Sequence, residues 1–139
     1  MFEVHIYITI GSRSPRVMER KYGYVLECFH LGKPRTCDGF GKIESTYHKA
    51  VLVALIEAMK RMNQSCKVHI HTEDSFILNM LKNNASLWVE NDFKNNKGSS
   101  IANREEWEVL LNLVSKHIVV PEHGVHSYDL WLKTAMEKS

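Results

Sequence analysis

The side chains in this sequence best suited to chemistry are acids and imidazoles. Glu73 and Asp74 are adjacent, Asp129 follows Ser127 by two residues, and His48 follows Ser45 by three. Carboxylate oxygens suit hard divalent cations, whereas an imidazole suits zinc or manganese better than magnesium. Each of these residues also has a plain structural account. Acids at the start of a helix meet the positive end of its dipole, and His48 fits a polar first-turn position. His69 and His71 alternate along "CKVHIH", so they share one face of a strand, with His5 available on another. Three imidazoles on one sheet point to zinc if their strands are neighbours in register; otherwise they are polar histidines covered by a helix.

Cations are the second resource. Arg13, Arg16, Arg20 and Lys21 form a basic stretch around Pro15, interrupted by Glu19. Lys94 and Lys97, with Asn95 and Asn96 between them and Trp88 before them, form a shorter one. Such stretches grip phosphates or simply solvate a surface. Ile10 is the residue out of place. It joins the strand-like "IYITI" to Gly11, and strand ends beside turns are where catalytic side chains are often held. Isoleucine neither binds a metal nor transfers a proton.

Composition bounds the alternatives. The chain has 139 residues, 44% of them apolar and 24% charged, which is ordinary globular composition. A single domain over 1–139 is the expectation, monomeric and with a full hydrophobic core. The formal charge of +2 neither requires nor excludes a nucleic-acid partner. Cys28, Cys37 and Cys66 are an odd count with no Cys-x-x-Cys pair, which argues for a reducing, cytoplasmic setting. No apolar run approaches the roughly 18 residues of a membrane span, and no signal-peptide pattern opens the chain.

The elements that must position these residues follow from periodicity. Residues 2–10 alternate and are rich in β-branched and aromatic side chains, a strand. "GSRSPRVMERK" is a loop, and 22–30 and 34–42 form a hairpin about Leu31-Gly32-Lys33. A long helix over 45–62 carries Val51, Leu52, Ala54, Leu55, Ala58, Met59 and Met62 on one broad stripe. A short strand over 66–71, a helix over 73–83, a second short helix in "SLWVENDF" and a polar loop come next. Asn103 with Glu106 reads as the N-cap and capping residue of a helix bearing Trp107, Leu110, Leu111 and Val114. "HIVVPEHG" is a last strand stopped by Pro121, and 128–138 a terminal helix. Three strands followed by αβα units predict an α/β fold with a five-stranded mixed sheet flanked by helices.

Taken in order, "IYITIGS", "YGYVL", "STYHKAVLVALIEAMKRM", "VHIHTEDSFIL" and "NREEWEVLLNLVSKHIV" resemble the type 1 ribonuclease H family over nearly the whole chain. The resemblance implies a ribonuclease H-like fold. It also implies four carboxylates holding two Mg²⁺ ions, which clamp the attacking water and the leaving oxygen in phosphodiester hydrolysis. Transferred residue by residue, the first acid falls on Ile10, with Thr9 the only oxygen nearby. The second falls on His48, the third on Glu73 with Asp74 beside it, and the fourth on Asp129. The family's loop histidine corresponds to either His123 or His126.

Two of the four carboxylates are thus replaced, and the expectation is a degenerate metal site holding at best one weakly bound Mg²⁺ or Mn²⁺ through Glu73, Asp129 and His48. The function implied is binding of RNA–DNA hybrid or structured nucleic acid, through Arg13, Arg16, Arg20, Lys21, Lys94 and Lys97, with hydrolysis impaired. Two alternatives stand beside it. One is a ribonuclease H variant in which Glu73, Asp129, His48 and Asp74 still cleave RNA in a hybrid. The other is a module of a mobile element or phage that uses the fold to bind a protein partner.

Overall fold

The computed structural model describes residues 2–84, 90, 92 and 101–138. Five strands form one mixed sheet: β1 (Phe2–Ile10), β2 (Met18–His30), β3 (Lys33–Ser45), β4 (Cys66–Thr72) and β5 (Ile118–His123). Their spatial order is β3-β2-β1-β4-β5. The first three strands form an antiparallel meander, and β4 and β5 add in parallel. The helices are α1 (Tyr47–Met59), α2 (Ser75–Asn79), which continues as a π-helical turn over Met80–Asn84, α3 (Arg104–Val114) and α4 (Asp129–Lys138).

Strand alternation sorts side chains between two faces. Ile6, Ile8, Ile10, Tyr22, Tyr24, Leu26, Val68 and Ile70 are buried on one face with Val51, Leu52, Leu55 and Met59 of α1 and Trp107 and Leu110 of α3. This is the main core. Tyr7 and Val25 point the other way and pack with Leu132 and Met136 of α4. Tyr22 and Tyr24 lie across β3 so closely that a methyl group at Gly41 or Gly39 would overlap their hydroxyl ends. Only glycine fits at these two positions.

The expected element order holds, and its edges differ for local reasons. The meander strands are longer than periodicity indicates, pairing from His30↔Lys33 as far as Met18↔Ser45. Their turn is the two residues Leu31 and Gly32, both at positive φ (53° and 78°), the primed geometry that matches strand twist. Because β3 takes Ser45, α1 starts later, capped by Thr46, whose hydroxyl accepts from the Lys49 N–H at 3.3 Å. Pro121 does not stop the last strand. β5 lies at the sheet edge, where a missing N–H costs no ladder bond. Asn103 precedes α3 in the left-handed region (φ 58°) and its side chain makes no capping bond, so the capping box is absent. Apart from Glu90 and Asp92, the short helix expected over 86–93 lies outside the described residues, as does the stretch with Lys94 and Lys97. No helix among the described residues is long and apolar enough to cross a membrane.

Candidate functional site

The strand ends at which the expected acids converge divide into two halves. In the first, Ile10 is 7% exposed and belongs to the main core, so its side chain lines no site. Thr9 points to the opposite face, toward the start of α4. Its hydroxyl donates to Asp129 Oδ1, and the backbone N–H of His126 donates to Oδ2 at 3.0 Å. The side chains of His126 and Asp129 are only 2% and 6% exposed. The Tyr128 N–H donates to His126 Nδ1 at 3.2 Å, which leaves the ring proton on Nε2. That proton faces the Ile8 carbonyl at 2.9 Å, with Thr9 Oγ1 at 3.1 Å and Asp129 Oδ1 at 3.2 Å. The buried carboxylate is therefore satisfied by the chain itself. Of the two histidines offered by the resemblance for the family's loop residue, His126 is built into this network and His123 is exposed.

The second half lies on the α1 side. His48, in the first turn of α1, meets Asp74 through Nδ1···Oδ2 at 2.6 Å. Asp74 is 2% exposed and caps α2 by accepting from the Ile77 N–H at 3.1 Å, while its own N–H donates to Thr72 Oγ1. Glu73, expected from the resemblance to stand at the family's third acid, turns outward and pairs with Arg13 at 3.2 Å. Tyr47 and Phe76 complete the wall of a cavity of about 260 Å³, and the Phe76 ring lies 4.7 Å from that of His48. Burial, with Asp74 nearby, pushes the Tyr47 hydroxyl up to about 12.

These donors do not fit a pair of hard cations. Asp129 and Asp74 have both carboxylate oxygens engaged by neighbouring groups, Glu73 is engaged by a guanidinium, and the position that would bridge the ions is apolar. No group of three His, Cys, Asp or Glu side chains among the described residues stands at metal-holding spacing. The set Glu73, Asp129 and His48 is accordingly not assembled as one ligand cluster.

The three strand histidines are brought together, and β1 pairs with β4 so that His5 faces His69. Their nitrogens, however, engage one another and nearby acids instead of a common centre. His5 Nδ1 lies 2.8 Å from His71 Nε2, and His69 is held between Glu3 (2.9 Å) and Glu122 (3.3 Å). His5 stacks on His69 at 4.3 Å and Tyr7 on His71 at 4.3 Å. Burial, with His5 beside it, pulls His71 down to about 4. The register that makes this ladder is invisible in a single sequence.

Of the expected phosphate-gripping cations, Arg13 and Arg16 are exposed on the loop between β1 and β2. Arg20 is corrected. It is 3% exposed, and its guanidinium donates to the carbonyls of Ser45 (3.0 Å), Ser12 (2.7 Å) and Arg16. It braces the loop from inside. Lys21 is half-buried, and its ammonium donates to the Met136 carbonyl of α4 at 2.9 Å.

The family model for RNase H matches residues 3–125. Among curated relatives, a ribonuclease HI of Xylella fastidiosa (strain 9a5c) is 28% identical over 79 residues, 57% of this chain and 53% of that protein. A ribonuclease H of Syntrophotalea carbinolica is 31% identical over 98 residues, 70% and 62% of the two chains. The matched part thus spans a little over half the length of these relatives. Among solved structures, LC9-RNase H1, a type 1 RNase H with the type 2 active-site motif, superposes with a TM-score of 0.72 at 17% identity, covering 96% of this chain and 70% of that one. A foamy viral protease-reverse transcriptase in complex with RNA/DNA hybrid gives a TM-score of 0.72 at 20% identity, over 99% of this chain and 20% of that one. At these identities the superpositions establish the shared fold.

Proposed function

The chain belongs to the RNase H family, and from that premise we propose that it binds RNA–DNA hybrid without performing two-cation hydrolysis. The observation that carries this reading is the closed network around Asp129. An acid that serves a cation must turn open oxygen lone pairs toward it, and here Thr9 and His126 already engage both oxygens of a carboxylate that is buried. Ile10 adds nothing polar at the neighbouring position, and Nδ1 of His48 is taken by Asp74. Family membership supports a nucleic-acid ligand, and one neighbour in fold was solved with RNA/DNA hybrid bound.

Binding without chemistry asks only for cations that reach a phosphate backbone. On this reading Arg13 and Arg16 supply them, from a loop held rigid by the buried guanidinium of Arg20. Phosphate contacts of this kind release counterions, so affinity falls with salt in proportion to the number of contacts. The double variant Arg13→Glu/Arg16→Glu is expected to lower affinity for a labelled hybrid at least tenfold. It should also reduce the slope of log affinity against log salt by about 2. Fluorescence anisotropy from 50 to 300 mM salt measures both. An unchanged slope would remove this loop from the interface. Hybrid binding that is absent, or insensitive to salt, would remove the proposed function itself.

A further inference from the structure

On the α4 side of the sheet, across from His48 and α1, β2 and β3 set two lysines directly opposite one another. Lys21 pairs in register with Lys42. Like charges directly opposite on one sheet face destabilise an antiparallel pair, so the arrangement favours an anion between them. Both lysines line a cleft of about 400 Å³, to which Lys133 of α4 adds a third ammonium and in whose wall the buried Arg20 also stands. The Lys21 ammonium already donates to the Met136 carbonyl at 2.9 Å, and its charge still acts on an anion in the cleft. Two acids also line it, Glu19 and Glu137. Glu19 pairs with Lys42 at 3.3 Å, with both side chains more than half exposed (65% and 56%). Such an exposed pair is weak and exchanges readily for a better anion.

Next to the cleft is a feature that core packing does not account for. Phe40, two residues from Lys42 on the same strand face, and Trp131 of α4 are 39% and 49% exposed. Their ring centroids are 6.1 Å apart and their planes 44° apart. Gly23, opposite Phe40 in register, leaves room for the ring: a methyl group there would meet it at 3.0 Å. Aromatic faces open to solvent beside a row of ammonium groups are the combination by which proteins hold single-stranded nucleic acid, bases stacking on rings while cations follow the backbone.

We propose that this cleft and the Phe40–Trp131 pair bind a single nucleic-acid strand, one phosphate seated among Lys21, Lys42 and Lys133 and a base stacked on the exposed rings. It rests on the proposed function only for the class of ligand; the surface is separate from the Arg13–Arg16 loop. A strand leaving the end of a hybrid has the chemistry this surface fits.

The test uses a labelled oligothymidylate of twelve nucleotides and, separately, a blunt-ended hybrid. Lys42→Glu/Lys133→Glu changes exposed residues only, and circular dichroism checks that it folds. Its affinity for the oligothymidylate is expected to fall at least tenfold, and the salt slope by about 1.4. Trp131→Ala should weaken the oligothymidylate roughly tenfold with the salt slope unchanged, because stacking rather than charge is lost. Arg13→Glu/Arg16→Glu should leave oligothymidylate binding as it was. Oligothymidylate affinity unchanged in Lys42→Glu/Lys133→Glu would overturn the inference. So would binding of the hybrid, sensitive to Arg13 and Arg16, by a wild-type protein that ignores the oligothymidylate; the proposed function would then stand. A wild-type protein that binds neither ligand would end both readings.

Discussion

Replacing Thr9 by valine is expected to cost about 3 kcal/mol of folding stability, although the change is nearly isosteric. The lost hydroxyl is a donor to a carboxylate on a side chain that is 6% exposed, and a buried charge deprived of a partner loses several kcal/mol of compensation. Thr9→Ser keeps the donor and should recover most of the loss, which separates the hydrogen bond from the methyl packing. Urea denaturation of the three proteins measures it. A valine variant within about 0.5 kcal/mol of wild type, the ordinary range for a substitution away from any such feature, would mean that Thr9 does not hold Asp129 in place. The account of the closed network would then lose its basis.

The second large effect is acid lability. His71 is held near 4 in the fold, against an ordinary value of 6.5, because burial and the imidazoles of His5, His126 and His69 oppose a positive charge there. Between those two values the unfolded chain binds a proton that the folded chain refuses. Stability therefore falls as the pH drops from about 6.5 to about 4, by at most about 3 kcal/mol for this one group, with some lost to solvent screening. His5, lowered by burial and by His69, acts in the same direction. Glu122 and, beside His5, Glu3 and Glu27 oppose these shifts without cancelling them. Chemical denaturation at pH 7 and pH 4.5 should show a clear loss, and His71→Phe should flatten the dependence. Equal stability of the wild-type protein at the two values would contradict the neutral histidine ladder.

Much of the fold was legible because its signals are local. The stripe from Val51 to Met59 and the alternation of residues 2–10 each belong to one element, and the order of five short strings fixed the topology. Boundaries were less legible where two elements compete for a residue, as at Ser45, which pairs with Met18 in the sheet before a helix can claim it. Pro121 read as a stop because edge position is a property of the assembled sheet. The candidate site was legible only in part. The family resemblance sets Ile10 and His48 where acids are expected, and it points to Asp74, Asp129 and either His123 or His126. It could not show that Asp74 turns inward to His48 while Glu73 turns out to Arg13, since adjacent residues at a helix start differ only in direction. Arg20 looked like its neighbours in a basic run, and only its burial against three carbonyls reveals a bracing role. Lys42 and Lys133 are remote from each other in sequence, and the cleft exists only once α4 packs on β1 and β2.

The most direct test of the central claim is to incubate an end-labelled RNA–DNA hybrid with the wild-type protein at low salt, in Mg²⁺ and separately in Mn²⁺. Retention of the complex and cleavage of the RNA strand are followed in the same samples. The account predicts a salt-sensitive complex in both metals and an intact RNA strand. Cleavage that disappears in Asp129→Asn would contradict it, because Asp129 would then serve a cation instead of the network of Thr9 and His126.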